Sequence, residues 1–265
     1  MSLIATSVIR AAGEGPHIPG PLDFELDPLF AGATKPMILV VLSAVLILGL
    51  FYAMSRRAAV VPGRLQFAGE YVYDFVRNSI ARDTIGAHDF QRFVPILFAI
   101  FTFVLVNNFY GVIPLLQFPS MSRIGFPIAI ALVIWLIYNG VGIAKHGFFG
   151  YLKHQTVPGG ISGPILIALV PLEFFSNIIV RPFTLALRLF ATMFAGHLLL
   201  ILFATGAEYL ISSYDPKALG ITAGVLSFVI GIAVSFLDML VMFLQAYVIT
   251  LLAAMYIGSA IAEEH

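Results

Sequence analysis

ALGITAGVLSFVIGIAVSFLDMLVMFLQAYVITLLAAMYIGSAIA, residues Ala218–Ala262, holds one charged residue, Asp238, and no proline. It runs for about 45 residues, where a perpendicular membrane crossing needs about 20. The tract at 165–206 is of the same kind and about twice a single crossing in length. Either each tract is broken at the middle, or each is one long, strongly inclined helix. The apolar character never lapses, so two long, tilted, antiparallel helices are expected, with no water-exposed loop near Leu198 or Val241. Only a short polar break separates them: Glu208, Asp215, Pro216 and Lys217.

Further out, apolar runs at 36–55, 93–118 and 126–144 read as three more spans. Between the first two, residues 64–90 interleave Arg64, Glu70, Asp74, Arg77, Arg82 and Asp83 with Leu65, Phe67, Tyr71, Phe75, Val76 and Ile80 at helical spacing. That pattern predicts an amphipathic helix lying on the membrane surface, since so many charges exclude a crossing. Residues 1–35, rich in Pro, Gly and acid, are expected to be an exposed N-terminal segment. The fold class expected for 1–265 is thus a single all-α membrane domain with five crossings and one surface helix. Composition agrees: 60% of the residues are apolar and 11% charged, against about 25% charged in a soluble domain. A balanced charge gives no electrostatic footprint for nucleic acid. The lack of cysteine removes disulfides, thiolate metal sites and cysteine nucleophiles.

Basic residues set the expected orientation. The loops after the first and third spans carry Arg56, Arg57, Arg64, Arg77, Arg82, Arg92, Lys145 and Lys153, and the opposite side only Arg10, Lys35, Arg123 and Lys217. The heavier side is expected to be cytoplasmic, with the N-terminus outside and the C-terminus inside, in the plasma or inner membrane.

Five ionisable residues fall within the last two tracts: Glu173, Arg181, Arg188, His197 and Asp238, with Gln245 as a further polar group. Each is costly in hydrocarbon, so a functional role is the default reading. A guanidinium keeps its charge in proteins; Arg188 can therefore attract a carboxylate and repel a hydronium ion but cannot relay protons. A structural ion pair of Arg188 with Asp238 or Glu173 is the alternative. Histidine changes charge near neutrality, and with a carboxylic acid it suits a proton relay; a His197–Asp238 hydrogen bond that only locks two helices is the alternative. If Arg188 lies level with Gln245, His197 falls level with Asp238 about 13 Å away along the axis. Nine residues are half a revolution beyond whole turns, so His197 is expected to point away from whatever Arg188 faces. Arg181, seven residues before Arg188, shares nearly its face and takes a supporting or structural role. Asn107, Asn108 and Asn139 are expected to bond between helices. No phosphate loop, metal cluster or nucleophile triad is present in the sequence.

The stretch RPFTLALRLFATMFAGH, Arg181–His197, resembles the signature of ATP synthase subunit a, as do Leu244-Gln245-Ala246-Tyr247 and the ending Glu263-Glu264-His265. The resemblance extends over essentially the whole chain and its layout. It implies a non-catalytic, proton-conducting stator subunit without cofactor or metal, working in lipid with the rotor c-ring, subunit b of the peripheral stalk and the rest of the ATP synthase. It places on Arg188 the arginine that faces the rotor carboxylates. It places the outer proton path on Thr192, His197, Asp238 and Gln245, and an acid near the cytoplasmic exit on Glu173. Two departures stand out. Some bacterial members carry Glu at the position of His197 and His at that of Asp238, so acid and imidazole are exchanged here, as in mitochondrial members. Thr192 stands where Asn is common; its hydroxyl can still hydrate a path. Two other classes compete: a membrane-embedded lipid enzyme, which needs a nucleophile, metal or acidic cluster that the sequence lacks, and a self-contained transporter, which normally shows internal repeats.

Overall fold

The computed structural model describes residues 34–56, 63–87, 89–113, 119–156, 165–212 and 216–262. The N-terminal segment expected at 1–35 lies almost wholly outside them. Among the described residues, five helices are long and apolar enough to cross a membrane: Lys35–Met54, Phe90–Phe109, Gly125–His146, Leu169–Ser212 and Lys217–Ile261.

The chain begins with α1 (Lys35–Arg56). Next comes α2 (Arg64–Asp74), which continues through a π-helical stretch, Phe75–Arg82, into a last turn, Asp83–Ile85. Gly86, at φ 99°, stops it, because that backbone conformation suits a residue without Cβ. The amphipathic helix expected over 64–90 is therefore shorter. Its apolar stripe is buried at Val76, Ile80 and Ala81 against the spans.

Helix α3 (Phe90–Phe109) starts and stops earlier than the 93–118 expected. Phe90, Phe93, Val94, Leu97, Phe101 and Val104 keep helical spacing on the buried side, while Gln91 and Arg92 are exposed. Arg92 therefore does not end the helix. At the other end the chain turns at Tyr110–Gly111. Gly111 packs against Pro119 and Met242, so the backbone folds back where the apolar composition alone suggested continuation. A buried 3₁₀ turn, Ser120–Ser122, leads into α4 (Gly125–His146).

Helix α5 (Phe148–Thr156) was not expected; the basic loop there is helical. Gly147, at φ 71°, makes the corner, and Tyr151 packs back over Gly142. A Cβ at 142 would run into the Tyr151 ring. Gly142→Ala is expected to lift α5 and to destabilise the fold by about 1–3 kcal/mol, the usual penalty of overpacking, read as a lower midpoint of thermal unfolding.

Helix α6 (Ile165–Phe175) passes through a π turn, Ser176–Val180, into α7 (Arg181–Ser212). Helix α8 (Lys217–Ile261) returns antiparallel. The spans of 44 and 45 residues are unbroken, with no loop at Leu198 or Val241. At about 1.5 Å per residue each is more than twice as long as a bilayer core of about 30 Å, so neither can stand perpendicular within it. The first runs past the expected end at 206 because Ala207 and Ile211 pack on Gly224, whose missing side chain lets the helices close. The second half of α8 buries Asp238, Met242, Gln245, Ala246, Ile249, Ala253 and Ile257, spaced for one face. Much of its first half is exposed, as lipid-facing or partner-facing helices are. Lys145 Nζ donates to the Ile261 carbonyl at 2.7 Å, tying α4 to the C-terminal end of α8.

Candidate functional site

Side-chain contacts fix the register of the two long helices. The Asp238 carboxylate lies against Gly196, and Phe203 lies against Gly231. Stepping antiparallel from these contacts puts Arg188 level with Ala246, beside Gln245, and His197 level with Leu237, beside Asp238. A side chain at 196 would occupy the space of Asp238 Oδ1, so Gly196 is what admits the carboxylate between the helices.

Arg188 is exposed on α7. Among the described residues its guanidinium has neither hydrogen bond nor ion pair, so the structural pair with Asp238 or Glu173 does not form. Its carbonyl accepts from Thr192 Oγ1 at 2.9 Å, which uses the hydroxyl proton and leaves the oxygen able to accept from elsewhere. Half a revolution away, His197 is partly buried with Nδ1 covered. The two side chains leave the helix on opposite sides.

Asp238 and Gln245 are each 5% exposed, and Asp238 Oδ2 and Gln245 Nε2 have no hydrogen-bond partner among the described residues. They lie on one face of α8 at i and i+7, with Met242 between them. The Met242 carbonyl accepts from Asn108 Nδ2 at 3.5 Å. Asn108 Oδ1, Tyr110 Oη and Ser120 Oγ are also buried without partners among the described residues. Buried polar atoms in folded proteins are nearly always satisfied, by protein or by water. Several such atoms at the end of α3, in the 3₁₀ turn and on α8 suit a hydrated interior. Tyr110 escaped the sequence reading because it falls inside the span expected at 93–118, where it reads as one more aromatic, and Ser120 because it lies in a short connection, where a polar residue gives no signal by itself. The asparagines behave as expected: Asn107 Nδ2 donates to Ser43 Oγ of α1 at 2.8 Å, and Asn139 Oδ1 accepts from Tyr151 Oη at 3.1 Å.

Glu173 and Arg181 belong to a second polar group at the other end of α7. Asn177 Nδ2 donates to Glu173 Oε2 at 3.4 Å and to the Gln155 carbonyl at 2.7 Å. Gln155 Nε2 donates to Tyr151 Oη at 2.7 Å. Burial pushes the Tyr151 phenol above its ordinary pKa, so it stays neutral and keeps its donor. Arg181 lies over the Tyr256 ring, 5.1 Å from Cζ to the centroid, a cation–π contact that offsets part of the cost of placing the charge there, while its Nη1 is buried without a hydrogen-bond partner among the described residues. Helix α5 supplies two members of this group, Tyr151 and Gln155, which the basic composition of that loop did not reveal.

The site is thus a fixed, outward-facing cation on a long helix, with buried protonatable and amide groups behind it and a second polar group further along. Comparison with known sequences agrees with this organisation. The family model described as ATP synthase A chain matches residues 37–258. An ATP synthase subunit a from Nocardioides sp. is 54% identical over 276 aligned residues, 98% of this chain and 99% of its own. Others named ATP synthase subunit a are 46% identical in Pseudarthrobacter chlorophenolicus, over 88% of this chain and 87% of that one, and 38% identical in Streptomyces lividans, over 93% and 88%. Five membrane-length helices, the Arg188 stretch and similarity from end to end lead to one conclusion: the chain belongs to the ATP synthase A chain family.

Proposed function

We propose that this chain is the proton-conducting stator subunit of an ATP synthase membrane sector, presenting two offset half-channels to the rotor c-ring so that proton flow turns the ring. The observation that carries the reading is Arg188: an exposed guanidinium on a lipid-length helix, with no anion bound to it among the described residues of its own chain. A charge so placed needs a partner from elsewhere, and a rotor bearing intramembrane carboxylates supplies one. The outer half-channel comprises His197, Asp238, Gln245 and Thr192. The inner one opens past Glu173 toward Arg181. Protons are the transported ion, and the chain itself carries no catalytic centre. The positive-inside distribution supports an N-terminus outside and a cytoplasmic C-terminus in the plasma membrane. Subunit b and the peripheral stalk hold the chain against rotation.

The rotor-facing surface is testable because the chain has no native cysteine. Ala191, exposed one turn from Arg188, lies on the face in question. Ala191→Cys is expected to form a disulfide with a cysteine placed beside the carboxylate on the rotor helix. Oxidation of an intact, assembled complex that yields no cross-link along this flank of α7 contradicts the reading.

A further inference from the structure

Pro182 and the π turn before it leave two carbonyls without helical partners. Proline has no N–H, so the Ile178 carbonyl loses its i+4 donor. In the π turn the Arg181 N–H bonds to the Ser176 carbonyl, one residue further back than in an α-helix, so the Asn177 carbonyl loses its donor too. Both would otherwise be acceptors left without a donor, which is costly away from water. Both are satisfied from α4. Trp135 Nε1 donates to the Ile178 carbonyl at 3.1 Å, and Tyr138 Oη donates to the Asn177 carbonyl at 3.0 Å.

These two bonds lie just before the segment that carries Arg181 and Arg188. A π turn holds one residue more than an α turn, which changes the rotational phase of everything after it by about 100°. Tyr138 is 1% exposed, and its ring lies 5.5 Å from that of Tyr256, over which Arg181 is placed. Trp135 is the chain's single tryptophan.

We infer that Trp135 and Tyr138 are positioning residues: by capping the carbonyls that Pro182 and the π turn set free, they hold the helix phase that aims Arg188 at the rotor. The inference rests on the stator reading of Arg188 and extends it to residues on a different helix. Both side chains act from α4 on the backbone just before α7. Their action is through backbone geometry, so a substitute donor in the backbone can replace one of them.

The test uses the complete ATP synthase in vesicles, with ATP-driven pumping expressed per ATP hydrolysed and normalised to assembled complex, and passive proton leak measured after removal of the ATPase head. Trp135→Phe and Tyr138→Phe, which keep the rings and delete the donors, are each expected to lower coupled pumping about 5-fold or more, the consequence of about 1 kcal/mol or more of lost positioning, and to raise the leak. Pro182→Ala restores an N–H opposite the Ile178 carbonyl. Trp135→Phe combined with Pro182→Ala is therefore expected to recover most of the pumping, while Tyr138→Phe combined with Pro182→Ala is not. A merely structural role for the indole gives additive losses and no such selectivity. If Trp135→Phe fails to assemble, Tyr138→Phe carries the test alone: normal coupling in it overturns the inference. Normal coupling in Trp135→Phe, or equal rescue of both variants, also overturns it. Arg188→Ala run in parallel separates the two claims. Uncoupling there with wild-type behaviour in the aromatic variants rejects only this inference; normal pumping by Arg188→Ala rejects the stator reading itself.

Discussion

Arg188→Ala is expected to bring ATP-driven proton pumping by the assembled complex down to background and to open a passive leak. The guanidinium is exposed on α7 and unpaired among the described residues of its own chain, level with Ala246 between the two polar groups. At an effective dielectric constant of about 20, two unit charges about 5 Å apart repel by about 3 kcal/mol. A proton passing the arginine is disfavoured about 100-fold on that figure alone, and salt screens little of it inside the membrane. In the proposed stator, a rotor carboxylate arriving opposite the same charge would be stabilised as the anion and release its proton. Removing the charge removes both effects: the ring no longer has to discharge there, and protons can pass without rotation. The leak through the ring and stator, with the ATPase head stripped away, is expected to rise by up to about two orders of magnitude. Arg188→Lys keeps a charge but loses the planar fork and can become neutral in an apolar setting, so it is expected to retain only a small part of the pumping. Near-normal pumping by Arg188→Ala would overturn the assignment of the gate.

Why Arg188 could be singled out before the fold was known is a matter of cost. A charge in the middle of an apolar tract is too expensive to be incidental, and that signal is local. The relation between α7 and α8 was legible for a similar reason. With both helices straight and antiparallel, residue offsets convert directly into axial distance, and Asp238 against Gly196 is one residue from the position that this arithmetic gives. Features that depend on backbone hydrogen bonding were not legible. Nothing in Ser176-Asn177-Ile178-Ile179-Val180 marks a π turn, because a shift from i−4 to i−5 bonding is decided by what α4 offers to the freed carbonyls. Likewise α5 was hidden by Lys145, His146, Lys153 and His154, which read as a basic loop; it forms because Gly147 turns the chain and Gly142 leaves room for Tyr151. Glu208 and the polar residues after it suggested an end to the fourth tract, whereas the packing of Ala207 and Ile211 on Gly224 carries the helix on to Ser212.

Exchanging the acid and the imidazole is expected to separate a proton relay from a simple helix lock. Asp238 lies against Gly196, next to His197, with Oδ2 unpartnered among the described residues. In a relay, each group must hold and release a proton in turn, and water bridges the gaps between them. Asp238→Asn keeps the shape and much of the hydrogen bonding but cannot exchange a proton. It is expected to slow ATP-driven pumping about 100-fold, the lower end of what a positioned acid or base contributes, with assembly unchanged. His197→Leu is expected to cost a similar factor. A lock predicts the opposite pattern: Asn, which still accepts and donates, would pump almost normally. The exchange is sharper still. His197→Glu alone places two acids together, and Asp238→His alone places two imidazoles together; like charges oppose one another's ionisation, so both are expected to pump poorly. Combined, the two substitutions restore one acid and one imidazole, and pumping is expected to exceed that of either single variant by about 5-fold or more, an interaction of about 1 kcal/mol between neighbouring groups. The new imidazole at position 238 must fit against Gly196, where no Cβ stands in its way. A combined variant no better than the worse single one, in complexes that assemble fully, would show that placement rather than pairing governs the path and would remove His197 and Asp238 as a coupled relay.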